Sequence, residues 1–216
     1  MKLNKGVVFA CVALAAQVAA VGGLVWRYER VVAFGEEVRM KCRAYDPYDP
    51  LRGRYLSMTV SETCTNILFE VDMSRYWTEP ECAVFAKLAK APEGELWHVE
   101  AVAREPSGDG LWVKPSSVRM DYLLEYDARG KDEPYEEFDK RRKASGIKAE
   151  VRFPDQLFVN EKIAPAAEKL MQKKSGSAVA VFRALDGRIV LTGVEIDGKS
   201  VQSATRDAMN GDQSAK

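Results

Sequence analysis

The sequence predicts a mainly β, α+β protein: an N-terminal transmembrane helix, then an antiparallel β-rich domain outside the cytoplasm with one helix in its C-terminal half. Three observations predict it. Gly6 to Trp26 is apolar apart from Gln17. Apolar and polar residues alternate with period two on both sides of a Pro- and Gly-containing corner at Tyr45 to Val60, as strands with one buried face require. Asp186-Gly187 separates two further alternating runs, a strong local hairpin signal.

The N-terminal segment sets the location. About 20 apolar residues cross a hydrocarbon core of about 30 Å. Lys2 and Lys5 precede the apolar run, and Trp26, Tyr28, Arg27 and Arg30 follow it with interfacial chemistry. Val18-Ala19-Ala20 is a passable cleavage site for a signal peptide, but the apolar run continues past it. Residues 1–28 are therefore expected to be an uncleaved signal anchor, with lipid around residues 7–26 and the body outside the cytoplasm. A lipoprotein modified at Cys11 fits poorly, because the preceding apolar run is short and Phe9 is bulky.

The corner comes next. Pro47 and Pro50 fix their own φ and hold Asp46 and Asp49 extended. Each Asp before Pro favours turn initiation, and Gly53 accepts a positive φ. Upstream, Val38, Met40, Cys42 and Ala44 share one strand face; downstream, Leu56, Met58 and Val60 share another. The run Asp46, Pro47, Asp49, Pro50, Leu51, Arg52, Gly53 and Tyr55 thus reads as a structural corner rather than a ligand loop.

An Asp-Pro-x-Asp-Pro-Leu-Arg-Gly run entering a strand behind one membrane segment resembles the bacterial GDYXXLXY family, whose activity is uncharacterised. The motif falls on Gly53 to Val60. Gly53 and Tyr55 are kept; Arg54 replaces the Asp, Met58 the Leu and Val60 the final Tyr. FVNEKIAPAAEKLM (Phe158 to Met171) and DGRIVLTGVEIDGKSV (Asp186 to Val201) extend the similarity. The resemblance implies an anchor and an architecture, and no activity.

Further along, Thr65 to Val71 alternates as a strand, with Ile67, Phe69 and Val71 inward. The run Cys82 to Lys90 has helical propensity, but Pro92 and Gly94 cut it short. A hairpin with Leu96 to Arg104 is expected, with Trp97, Val99, Ala101 and Ala103 on one face. Short and long strands are expected at Leu111 to Lys114 and Val118 to Tyr126. These close a β-rich region over 36–126. Residues 127–146 are dense in charge and read as a solvated connection with a short helix around Glu136 to Lys143. A β-α-β-β region over 147–201 follows: a strand from Ile147, a helix capped by Asn160 and running to about Lys174, and strands Ala178 to Leu185 and Arg188 to Ile196. Residues 202–216 read as a polar, frayed tail.

For chemistry there is little. Lysine plus arginine number 32 and aspartate plus glutamate 32, so no overall field attracts nucleic acid. The single histidine, His98, lies on the polar face of its strand and reads as a surface residue. Asp46 and Asp49, even with Glu36 and Glu37, lack the ligand density of a calcium loop. No metal or other cofactor is expected. Cys42 reads as a buried thiol, and a Cys64–Cys82 bridge is expected if the compartment is oxidising. The strand face of Arg39, Lys41 and Arg43 reads as solvated, with lipid head groups or an acidic partner as the other reading. The expected role is a membrane-anchored, non-catalytic accessory or interaction protein with a membrane-protein partner. The alternative is a membrane-bound serine hydrolase centred on Ser57, because Ser57-Met58 behind an anchor is similar to type I signal peptidases, which use a lysine-activated serine. Against it, the proline that should follow the pair is replaced by Thr59.

Overall fold

The computed structural model describes residues 5–44, 55–71, 73, 84–92, 94–131, 133–161, 163–174 and 176–214. The corner residues Asp46, Pro47, Asp49, Pro50, Leu51, Arg52 and Gly53, and also Cys82, lie outside them.

Helix α1 (Lys5–Phe34) carries the apolar run and leads through Gly35 into β1 (Glu36–Lys41). The body wraps several short antiparallel sheets around one core. β1 pairs with β11 (Ala178–Leu185), which continues to β12 (Arg188–Ile196) and β13 (Lys199–Ser200). After Cys42 the same stretch changes partner: β2 (Arg43–Ala44) pairs with β3 (Tyr55–Thr59). β3 and β4 (Ser61–Cys64) run as one bent strand against β9 (Ile147–Arg152) and β10 (Gln156–Phe158). Across the bend Phe153 N–H donates to Val60 O at 3.0 Å and Met58 N–H to Asp155 O at 3.0 Å. β8 (Ser117–Tyr122) lies on the far side of β9, and β5 (Phe85–Lys90) sits between β6 (Trp97–Ala103) and β7 (Leu111–Val113).

The alternation expected on both sides of the corner is observed: Val38, Met40, Cys42, Leu56, Met58 and Val60 are all buried in one cluster with Ala149, Val151 and Phe153. The ambiguous segment before Pro92 is a strand, and β5 forms the expected hairpin with β6.

Two bulges change which side chains reach the core. Leu88 pairs with Val99 and Lys87 with Ala101, leaving Glu100 as the extra residue. The expected common face of Trp97, Val99, Ala101 and Ala103 is therefore split: Trp97, Val99 and Val102 enter the main core, while Ala101 and Ala103 pack with Trp112. A one-residue insertion reverses the faces because the side-chain period is two. In β12, Thr192 is the extra residue, and its Oγ1–H donates to Val181 O at 3.0 Å. Ile189 and Leu191 before it, and Val194 and Ile196 after it, all face the core as a result.

Five further expectations are corrected. Thr65 to Val71 is not a strand; Ile67 makes one isolated parallel bridge to Val102, although Ile67, Phe69 and Val71 still pack on the core. The segment meets β6 at Val102, whose N–H donates to Asn66 O at 3.0 Å and whose carbonyl accepts from Leu68 N–H at 2.9 Å. The strand from Val118 stops at Tyr122: Leu123 N–H still donates to Gly146 O at 2.9 Å in the β8–β9 register, but Gly146 turns away at φ 96° and Leu124 N–H donates to Ser145 Oγ at 3.0 Å. Helix α2 (Tyr135–Ala144) forms where a short helix was expected, but it is docked rather than solvated, with Phe138 and Arg142 buried. Helix α3 (Ala164–Lys173) starts later than a side-chain cap at Asn160 would place it. Pro165 explains this: it lacks an N–H, so it fits the first turn, where α3 places it, and not a position that must donate within the helix. Asn160 contributes its backbone carbonyl to Ile163 and Ala164 N–H at 3.0 and 3.1 Å.

The expected tail is instead helix α4 (Val201–Ser214). It begins at a second Asp-Gly turn, with Asp197 at φ 51° and Gly198 at φ 76°, matching Asp186 at 50° and Gly187 at 76°. Positive φ at both central residues suits the twist of a two-residue hairpin. Val201 and Thr205 are then buried, and α4 lies beside α3 and β12.

Candidate functional site

The region with the most distinctive chemistry is the junction between α1 and the body. Phe9–Phe34 is long and apolar enough to cross a membrane, and none of its apolar window is buried against the body. Phe9, Val12, Leu14, Val18, Val21, Leu24 and Val25 point out on several faces, as in a helix meant for an apolar solvent. The last turns change character. Val31 is only 3% exposed, packed where α1 meets β11 and β12. Gly35 N–H donates to Val31 O at 2.8 Å, and Arg183 Nη1 donates to Gly35 O at 3.2 Å. Arg30 Nη2 reaches Asp186 Oδ2 at 2.9 Å, and its guanidinium sits over the Trp26 ring at 5.8 Å. Between the helix and the β11–β12 turn lies a cleft of about 260 Å³, bordered by Trp26, Arg27, Arg30, Val31, Leu185, Asp186 and Arg188.

A second concavity separates α3 from α4. This groove of about 590 Å³ has Ala166, Leu170, Ala208 and Met209 along it, with Lys169 and Lys173 at its border. α3 rests on β2 and β3, the two strands that flank the corner residues. Of the motif itself, Tyr55 is placed at the start of β3, its backbone paired with Phe158.

Ser57 lies mid-strand in β3 opposite Gln156, half-buried on the face away from Leu56 and Met58. Among the described residues no lysine or histidine hydrogen-bonds to it. His98 is half-buried in β6 opposite Ala89. Its charge neighbour is Glu62 of β4, whose carboxyl burial pushes up and whose ionised form His98 and Lys41 favour. Arg39 of the basic strand face is not free for a lipid: it pairs with Glu195 and lies 3.8 Å from Glu37 and 3.7 Å from Glu95.

Cys42 and Cys64 are buried free thiols. Burial pushes Cys42 up to about 12, and burial likewise raises Cys64, against a lowering hydrogen bond to Asn66. Cys64 Sγ–H points to Glu100 O at 3.5 Å and Asn66 O at 3.6 Å; its suggested partner Cys82 lies outside the described residues. Among the described residues no group of three or more His, Cys, Asp or Glu side chains could hold a metal ion.

In sequence, the junction residues of α1 are legible only as an interfacial girdle. That Asp186 and Arg188 meet them depends on where a hairpin far along the chain docks, and no local signal reports that docking. A family model described as GDYXXLXY protein matches residues 17–194. No curated protein and no solved structure matches the chain.

Proposed function

The chain belongs to the GDYXXLXY protein family, and on that premise we propose that it is a membrane-anchored accessory protein, holding a non-catalytic β-rich body against the outer face of the membrane for a membrane-protein partner. The observation that carries this is the continuity of α1 with the body. The helix runs without a break past Val18-Ala19-Ala20, and its last turns are tied down through Val31, Gly35 and Arg30. Cleavage after Ala20 would leave Val21, Leu24, Val25 and Trp26 as an exposed apolar stub on a soluble protein. Retained, α1 is about 45 Å long at 1.5 Å per residue, enough for the hydrocarbon core and one headgroup layer.

The groove between α3 and α4 is the surface we assign to the partner. Its apolar floor edged by Lys169 and Lys173 suits an amphipathic helix with acidic side chains beside its apolar stripe. The test is direct. The purified chain should have the mass of the uncleaved polypeptide, resist extraction from membranes by alkaline carbonate, and lose its body to protease added outside intact cells. Recovery of a soluble chain starting at Val21 would overturn the reading. Labelling by a fluorophosphonate that disappears in Ser57→Ala would favour the hydrolase instead.

A further inference from the structure

The cleft at the junction has the charge and position of a binding site. Of its guanidiniums, Arg30 is held by Asp186, whereas Arg27 and Arg188 have no ion-pair partner among the described residues. One carboxylate against three arginines leaves a cationic niche that lacks about two negative charges. A volume of about 260 Å³ is small for an organic cofactor, whose sites run to about 300–1,000 Å³, but ample for a phosphate group. Guanidinium forks match phosphate oxygens bidentately, with fixed direction as well as charge.

Position identifies the source of the phosphate. Arg30 lies four residues beyond Trp26, about 6 Å along the helix at 1.5 Å per residue. A headgroup layer is about 5–7 Å deep, the difference between a whole bilayer and its hydrocarbon core shared between two faces. With Trp26 at the hydrocarbon boundary, Arg27, Arg30 and the β11–β12 turn therefore fall in the layer where lipid phosphates lie. We propose that the cleft between α1 and the β11–β12 turn holds the phosphate of one anionic phospholipid, gripped by Arg27 and Arg188 and oriented by the Arg30–Asp186 pair. The inference rests on α1 being a retained anchor. A headgroup bound there bridges helix and hairpin, and so sets the body's height and tilt on the membrane.

The experiment uses the full chain in nanodiscs of mixed phosphatidylglycerol and phosphatidylcholine, released into mild detergent for native mass spectrometry. The wild type should retain one phosphatidylglycerol in preference to phosphatidylcholine. Arg27→Gln with Arg188→Gln should lower that retention about tenfold or more, as loss of charge-assisted phosphate contacts implies. Arg119→Gln with Arg206→Gln, the same charge loss elsewhere, should leave it unchanged, and millimolar inorganic phosphate should not displace the lipid. Equal retention by the cleft variant, equal retention of the two lipids, or displacement by inorganic phosphate each overturns the proposal. Flotation of the same samples on liposomes separates the two levels. A chain that floats but holds no phosphatidylglycerol refutes only the headgroup site, and a chain that fails to float refutes the anchor and this site together.

Discussion

Gly35 and Ala184 meet backbone to backbone where α1 joins the sheet. A methyl group on Gly35 would lie 2.9 Å from Ala184 N and closer still to Val31 O, nearer than real contacts allow. Neither neighbour is a flexible side-chain tip, so the strand or the helix end must shift. Gly35→Ala is expected to destabilise the body by about 1–3 kcal/mol, the usual range for an overpacked position. Thermal denaturation followed by circular dichroism measures it. An unchanged melting temperature would mean that α1 is not docked on β11.

Arg142 is the second point of dependence. It is 4% exposed, donates to Asp121 Oδ1 at 2.6 Å and Leu124 O at 3.2 Å, and lies over the rings of Tyr126 and Tyr122 at 4.1 and 4.8 Å. Removing one member of a buried pair leaves the other uncompensated, at about 3–5 kcal/mol. Asp121 retains some exposure to water, so Arg142→Ala should cost about 3 kcal/mol, near the lower end. Arg142→Lys should recover only part of this, because an ammonium cannot stack on two rings and fork to two acceptors together. Urea titration of both variants tests the order; a fully restored lysine variant would contradict it.

The buried thiols give a prediction about pH. The folded-state value of Cys42, about 12, lies above its ordinary 9.0. The stability this contributes is complete below pH 9 and is lost as pH rises towards 12. At pH 8 neither Cys42 nor Cys64 should react with iodoacetamide until urea unfolds the chain, because the thiolate is the nucleophile and both thiols are buried. Peptide mass spectrometry after timed labelling gives the answer, and rapid native labelling of Cys42 would refute it.

Glu62 works in the opposite sense to a stabilising carboxylate. Burial raises it above its ordinary 4.5, so the fold favours its protonated form. Its contribution is present at low pH and is lost as pH rises from about the ordinary value through the raised one. Glu62→Gln should therefore be at least as stable as the wild type at pH 7 and show a flatter stability profile at acidic pH. A variant clearly less stable at pH 7 would show instead that the attraction of His98 and Lys41 outweighs burial.

Helix α4 carries the last prediction. Val201 is fully buried, and a side chain of its kind contributes about 1.5–3 kcal/mol when buried. Truncation after Ser200 should lower stability by at least that amount, because the packing of α4 against α3 and β12 is lost as well. A truncated chain as stable as the full one would mean that residues 201–216 fray as a polar tail does.

Much of this protein is determined by local pattern alone. The apolar run sets α1, the alternation at Val38 to Cys42 and Leu56 to Val60 sets which faces are buried, and Asp186-Gly187 sets a hairpin. Each is a signal carried within a dozen residues, through side-chain period or a backbone that only certain residues adopt. Asp197-Gly198 carries the same signal and shows that the polar residues after it need not fray. Tertiary structure alone decided the rest. The extra residues Glu100 and Thr192 bulge because partner strands demand it, and Arg142 is buried because two tyrosines and an aspartate from outside its helix enclose it. The junction cleft belongs to the same class: Arg27 and Arg188 are brought to one niche only when β11 and β12 fold back against the end of α1. Contacts between residues so distant in sequence depend on the closure of the whole chain, and no short window of residues contains them.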